Sequence, residues 1–452
     1  MTHVAVIDIG KTNAKVAVVD TTAMREIGVR TRPNAVRPGP PYPHFDIEGL
    51  WAFILDGLAG LHAEHRIDAI SVTAHGASIV LLDREGDLAC PMLDYEHTGP
   101  DDLADAYDRL RPPFEETGSP RLPMGLNAGA QLHWLLETQE GLADRIASVV
   151  TYPQYWSGRL SGIFRCECTS LGSHSDLWNP WTGDFSTLPA RLGLQERMAP
   201  LERAFARLGP ITQEVARAAG LPAMTSVFCG LHDSNAALLP HLVSMERPFA
   251  VVSTGTWVIS MAAGGCPVVL DPPRDTLVNV AASGRPTPSA RFMGGREFDL
   301  MRAETEDPRP DEIAAVLERC AFLLPSVEPT SGPFPGRRGG WSDPAMTPGE
   351  KSAALSFYLA LMTAECLDLI GAEGTVVVEG PFGRNMLFLD MLSVVTGRPV
   401  GSVGDGGRTS LGAALLAGVA APAPRLRPHR TELDQVSASR YATAWSRAVQ
   451  TA

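Results

Sequence analysis

The chain has no excess of positive charge: 38 Lys and Arg stand against 51 Asp and Glu, a formal net charge of −13. A nucleic-acid binder needs a basic face to neutralise phosphates, so that class is excluded as the primary reading. No apolar run approaches the roughly 18 residues of a spanning helix. The opening "MTHVAVIDIG" lacks a basic leader and a long apolar core, and a cytoplasmic protein without a membrane partner is expected. The seven cysteines are odd in number and scattered, which fits reduced thiols better than a disulfide framework. A single "CEC" at 166–168 is too little for a metal site. Neither G-x-x-x-x-G-K-[ST] nor G-x-G-x-x-G occurs. The first absence removes the P-loop, and the second removes a Rossmann-type oxidoreductase.

What is present is a long globular chain. At 452 residues and 44% hydrophobic composition, two domains are the default. "HVAVIDIG" and "AKVAVVD" predict a β-hairpin, residues 48–64 a helix, and "IDAISVTAHG" a buried strand. "ASIVLLDREGDLA" predicts a second hairpin, turning at Asp83, Arg84, Glu85 and Gly86. Helices are expected at "LADAYDRL", at "AQLHWLLETQ" and from Asp233 to Pro240, the last after strand "TSVFCGL". Residues 248–262 read strand, tight turn, strand, and 329–344 read as a long Gly- and Pro-rich loop. The helix "KSAALSFYLALMTAECLDLI", strand "GTVVVEG", turn "PFGRN", a helix through Val395, strand "RPVGSV" and helix "TSLGAALLAG" follow. An exposed connector, "APAPRLRPHR", leads to a short terminal helix. Strands alternating with helices point to α/β layers.

Two hairpins resemble each other, "VIDIGKTNAKVAVV" at the start and "VVSTGTWVISM" opening the second half. Each tip combines Gly with Thr, Ser or Asn, a hint of internal duplication. Such tips expose backbone amides and hydroxyls that bind anionic oxygens, and Gly255 permits close approach. Asp8 in the first tip could hold a hydrated Mg²⁺. Two facing tips could therefore clamp a nucleotide triphosphate. A third turn, "EGPFGRN" at 379–385, has the strand, glycine turn, helix order that receives a nucleotide at a helix N-terminus. In phosphoryl transfer an aspartate accepts the proton of the attacking hydroxyl, and Asp233 in "GLHDS" is the candidate. Asp is also favoured at a helix start for local reasons.

The tip, the "HDS" helix start, the "STGTW" hairpin, the "EGPFGRN" turn and the "TSLGAALLAG" helix stand in the order seen in the FGGY carbohydrate kinases, which the chain resembles over essentially its whole length. "PFPGRRGGWSDP" is similar to that family's P-x-x-x-G-E-R-x-P-x-x-D-P loop, with Arg337 where Glu is usual. The L-fuculose and L-rhamnulose kinase branch looks most similar, through "SxGTWxxxM", "HDS", "GKTN" and "TAHGAS". The resemblance implies an α/β, actin-like (ribonuclease-H-like) duplicated fold with an ATP cleft between domains 1–245, on the sugar side, and 246–452, on the nucleotide side.

It further implies ATP-dependent phosphorylation of a ketose at a primary hydroxyl, with a 6-deoxyketohexose ahead of a pentulose. Asp233 would be the general base and Asp8 the Mg²⁺ ligand. Gly10, Lys11, Thr12, Asn13, Thr254, Gly255 and Thr256 would hold the phosphates, with Gly380, Phe382, Gly383 and Asn385 lining the adenosine pocket. His75, Gly76, Ser78, Tyr95 and His232 would contact the sugar, while core packing is the better account of Trp134 and Trp178. The partner is a small-molecule sugar, with a homodimer as an option. Departures from the family pattern are Lys11 for a small residue, Ser78 for Asp, "LDYEH" at 93–97 for W-x-D or Y-R-D, and Gln131 for lysine. The alternative from another class is a non-catalytic actin-like ATP-binding module, against which Asp233 speaks.

Overall fold

A computed structural model describes residues 3–404, 408–419 and 426–451. Part of the expected connector "APAPRLRPHR" falls outside those residues. The chain forms two compact units: 1–244 with 278–286 and 407–423, and 245–277 with 287–406 and 424–452.

The first unit is built on a sheet in which His3–Ile9 pairs antiparallel with Asn13–Asp20, and that strand with Arg25–Pro33. On its other side His3–Ile9 runs parallel to Ala69–Ala74, which in turn runs parallel to Ser226–Phe228. The second unit repeats this order. Phe249–Thr254 pairs antiparallel with Val258–Ala263, which pairs with Pro286–Phe292, and Phe249–Thr254 lies parallel to Thr375–Glu379, then Val400–Ser402. The two tips that look alike in sequence therefore occupy equivalent places in two copies of one sheet topology, the actin-like ribonuclease-H-like fold.

Apolar patterning explains the layers. Strand "VAVI" (residues 4–7) is wholly buried on both faces, so its parallel neighbours must be covered by helices. Ile47–Glu64 places Leu50, Ile54, Leu58 and Leu61 against the sheet, and Asp46 caps it by accepting the Gly49 N–H at 3.1 Å. Asp233–Ser244 packs against Arg408–Leu415 through a specific device. Pro240 has no N–H to offer the Ala236 carbonyl one turn earlier, and Gly412 fills the space beside that oxygen, where a Cβ would stand 1.7 Å from it.

Three expectations change. The hairpin at "ASIVLLDREGDLA" is shorter than expected: the 83–87 turn returns through a Leu82–Leu88 bridge and an Ala89 N–H to Leu81 carbonyl bond of 2.9 Å, while Ile79–Leu82 pairs along its length with Ser148–Thr151. The terminal helix is not short, since Gln435–Thr451 covers 17 residues and buries Tyr441 and Trp445. An apolar segment of spanning length does exist: Pro348–Leu369, 22 residues, is long and apolar enough to cross a bilayer. It is buried around most of its circumference in the second unit's core, packed against Met386–Thr396, Pro310–Arg319 and Val258–Ala263, with Tyr358 6.5 Å from the Trp445 ring. The 329–344 loop is partly buried and anchored, with Phe334 5.9 Å from the Trp445 ring and Arg337 bonded to the Val449 carbonyl.

Candidate active site

In the first unit, the chemistry gathers at the carboxyl ends of the parallel strands, where open α/β sheets receive ligands. Asp8 lies at the end of His3–Ile9, and Ala69–Ala74 delivers His75, whose N–H bonds the Ile9 carbonyl at 2.9 Å. Leu231–His232 pairs with Thr73 and Ala74 and delivers Asp233 at the start of its helix. The Asp233 carboxylate accepts the Ser234 N–H at 2.6 Å and lies 3.2 Å from Nε2 of His232, with its side chain 32% exposed.

Both histidines are neutral at physiological pH. Burial holds His232 below its ordinary value despite the adjacent Asp233. Its Nδ1 faces the Asn235 amide at 3.4 Å, which leaves Nε2–H to point at Asp233. Burial likewise pushes His75 down to about 4. Nδ1 of His75 donates to the Gly76 carbonyl at 2.8 Å, so Nε2 carries the lone pair, and that buried atom has no protein partner. It is a buried acceptor without a protein donor.

Gly76 earns its place by packing: a Cβ there would lie 2.7 Å from His232 Nε2 and 2.9 Å from Ser173 Oγ. Ser78 sits 3.5 Å from His75 Nδ1, and Tyr95 places its ring 5.4 Å from the His75 ring. Burial pushes the Asp8 carboxyl up to about 6, against the pull of Lys15 3.5 Å away, with Asp233 adding to the rise. The fold thus brings Asp8, His75, Gly76, Ser78, Tyr95, His232 and Asp233 into one region.

At the first tip, the Gly10 N–H closes the turn onto the Asn13 carbonyl at 2.9 Å, and Asn34 braces the Gly10 carbonyl at 2.8 Å. Thr12 and Asn13 are exposed. Lys11 is not among the free groups of the tip, because its ammonium is paired with Asp94 and lies 3.2 Å from Glu96. Trp134 and Trp178 are packing residues, Trp134 against Tyr42 and His97, Trp178 against Phe185.

The second unit carries the other set. Gly255 and Thr256 form an exposed turn closed by a Gly255 N–H to Trp257 carbonyl bond of 2.9 Å. A Cβ at Gly255 would meet no protein atom nearer than 4.0 Å, so its glycine answers to no internal crowding. Thr254 is buried and its hydroxyl is committed: it donates to the Glu379 carbonyl and accepts the Phe382 N–H at 3.1 Å. It fastens the hairpin to the 379–385 turn. Gly380 has φ +81°, and a Cβ there would stand 2.0 Å from the Thr254 carbonyl oxygen, which makes glycine obligatory. Phe382 packs between Phe298 and Phe388, and Gly383 lies beside Val378 and Ser402. Asn385 caps Met386–Thr396 through the Phe388 N–H at 3.1 Å.

Sequence reasoning singled out Gln131 without its role and missed three further supports, Glu167, Thr169 and Gly295. Gln131 donates to the Ala77 carbonyl at 2.6 Å and holds the 76–78 turn. Glu167, wholly buried and pushed up to about 7 by burial, accepts the Thr169 N–H and hydroxyl. Thr169 Oγ in turn accepts the His232 N–H at 2.9 Å. Gly295 backs the second tip, with its N–H 3.2 Å from the Thr256 carbonyl. Gln131, Thr169 and Gly295 act on partners 54, 63 and 39 residues away, which no local pattern signals, whereas Glu167 acts locally, as the N-cap of Cys168–Leu171.

Comparison with known proteins is consistent across the chain. Residues 3–240 match the model "FGGY family of carbohydrate kinases, N-terminal domain", and 246–427 match "Carbohydrate kinase FGGY, C-terminal domain". The crystal structure of a carbohydrate kinase from Novosphingobium aromaticivorans superposes with TM-score 0.91 at 36% identity, covering 98% of this chain and 100% of that one. An L-fuculokinase of Salmonella typhi is 25% identical over 270 residues, 58% of this chain and 57% of the relative. A rhamnulokinase of Bacteroides thetaiotaomicron is 26% identical over 234 residues, 50% and 47% of the two chains. The chain spans about half the length of these curated relatives in the matched regions.

Proposed function

The chain belongs to the FGGY family of carbohydrate kinases, and from that premise we propose that it transfers the γ-phosphoryl group of ATP to a primary hydroxyl of a neutral ketose. The observation that carries the reading is Asp233, a carboxylate one-third exposed beside a buried, unpartnered His75 Nε2. His75 accepts a hydrogen bond from one sugar hydroxyl, and Ser78, Tyr95 and His232 complete the acceptor contacts. Asp233 takes the proton of the attacking hydroxyl as its oxygen bonds to phosphorus and the bridging bond to ADP breaks.

Gly255 and Thr256 hold the phosphates, while Gly380 and Gly383 border the adenosine. Thr254, Phe382 and Asn385 act one layer behind, as the fastener, the packed floor and the helix cap of that turn. Asp8 fits a Mg²⁺ bound largely through water. Its half-buried carboxylate is costly to ionise even with Lys15 3.5 Å away, and no cluster of three or more His, Cys, Asp or Glu suited to a metal occurs among the described residues. Mg²⁺ would supply neutralisation of the phosphate charge.

We rank 6-deoxyketohexoses, L-fuculose or L-rhamnulose, first as acceptor, a reading that the named relatives and the "STGTW" and "HDS" signatures support. In such a sugar in ketose form O1 is the only primary hydroxyl. A coupled ADP-release screen over L-fuculose, L-rhamnulose, the ribuloses, the xyluloses and glycerol tests this. A preference of about tenfold in kcat/KM for a pentulose or glycerol overturns the sugar and leaves the kinase. ADP release that no added sugar stimulates overturns the kinase.

A further inference from the structure

Resting on that kinase reading, we propose that Lys11 is an acceptor-pocket residue: it ties the first glycine turn to the 93–97 loop and offers an ammonium donor to a neutral sugar, not to the nucleotide phosphates. Two of the chain's three lysines, Lys11 and Lys15, lie in the first hairpin. The Lys11 side chain is only 17% exposed, and its ammonium is paired with Asp94 and lies 3.2 Å from Glu96. The same nitrogen sits over two aromatic rings, 4.7 Å from the centroid of Tyr95 and 5.0 Å from that of Phe45.

Those two rings also flank His75, at 5.2 Å for Phe45 and 5.4 Å for Tyr95. One aromatic box therefore holds a cationic donor and the unpartnered acceptor Nε2 of His75. An ammonium has three N–H donors, and two carboxylates account for two of them. The remaining donor and the His75 lone pair are the complement of hydroxyl groups, which both accept and donate.

Charge sets the class of acceptor. Lys11 contributes one positive charge against Asp94, Glu96 and Asp233, so the pocket stays negative. A sugar acid or sugar phosphate meets like charge there and is rejected. The loop is held from other sides as well: Asp94 N–H bonds the Pro43 carbonyl and Gly125 N–H the Tyr95 carbonyl, each at 2.9 Å. Lys11 and "LDYEH", two apparently separate departures from the family pattern, are thereby one interaction.

The test compares wild type with Lys11→Met and with the double variant Lys11→Met/Asp94→Asn, which leaves no lone buried carboxylate. ATP affinity is measured by calorimetry without sugar, acceptor KM by ADP release with neutral ketoses and with an aldonate, and loop opening by hydrogen exchange over 93–97. The expected result is ATP affinity within about twofold, acceptor KM raised at least about tenfold in both variants, faster exchange over 93–97 in Lys11→Met, and no aldonate turnover by wild type. A tenfold loss of ATP affinity with unchanged acceptor KM overturns the proposal, as does a variant unchanged in both. Wild type without sugar-dependent ADP release sinks the kinase reading instead, and hydrogen exchange then still decides whether Lys11 ties the loop.

Discussion

Nε2 of His232 lies 3.2 Å from the Asp233 carboxylate, and the imidazole is kept neutral by burial, so the pair is a neutral donor facing an anionic acceptor. This arrangement orients Asp233 without quenching its charge, as a cation would. Asp233→Asn should lower kcat by about 10²–10⁴-fold with ATP affinity nearly unchanged. Turnover within a few-fold of wild type, measured by coupled ADP release, removes Asp233 from the role of base.

Gly255 separates a ligand effect from a folding effect. With no protein atom within 4.0 Å of its Cβ direction, Gly255→Val should leave the thermal midpoint close to wild type. ATP affinity should fall, since branched bulk blocks backbone approach to phosphate. Calorimetry showing unchanged ATP binding contradicts the assignment of this turn.

Gly412 should behave in the opposite way. Its Cβ direction meets the backbone oxygen of Ala236 at 1.7 Å, and backbone cannot swing aside as a side chain can. Gly412→Ala should destabilise the protein by about 1–3 kcal/mol, read as a lower urea midpoint at unchanged slope. An unaltered midpoint shows that the two helices part without cost.

Asp8 gives a pH signature. Its carboxyl is raised from 3.8 to about 6, so ionising it opposes folding. The penalty is absent below the ordinary value, grows between about 4 and 6, and is complete above 6. Without divalent cations, Asp8→Asn should therefore gain stability over wild type as pH rises from 4 to 7, by up to about 3 kcal/mol. Mg²⁺ with nucleotide should stabilise wild type more at pH 7.5 than at pH 5.5 and Asp8→Asn less. Calorimetric midpoints that differ by a constant across pH refute the shift.

The sequence by itself determined the repeated hairpins, the α/β alternation and the order of the chemical motifs, because each rests on local periodicity, a glycine turn or a short fixed spacing. "DIGKTN", "GLHDS", "STGTW" and "EGPFGRN" were legible for that reason. Tertiary structure decided which groups of those motifs are free. Thr254 reads as a phosphate ligand in "STGTW", yet its hydroxyl is spent on Glu379 and Phe382, 125 and 128 residues away. Lys11 reads as a cation beside phosphates, yet its partner Asp94 is 83 residues on. The same holds for "ASIVLL", whose strand partner at 148–151 no local pattern could name. It holds again for Pro348–Leu369, whose apolar circumference is explained only by the core that surrounds it. A hydrogen bond or ion pair forms between whatever the folded chain brings within about 3 Å, and burial then sets its protonation. Neither distance nor burial is a property of a residue and its near neighbours in sequence.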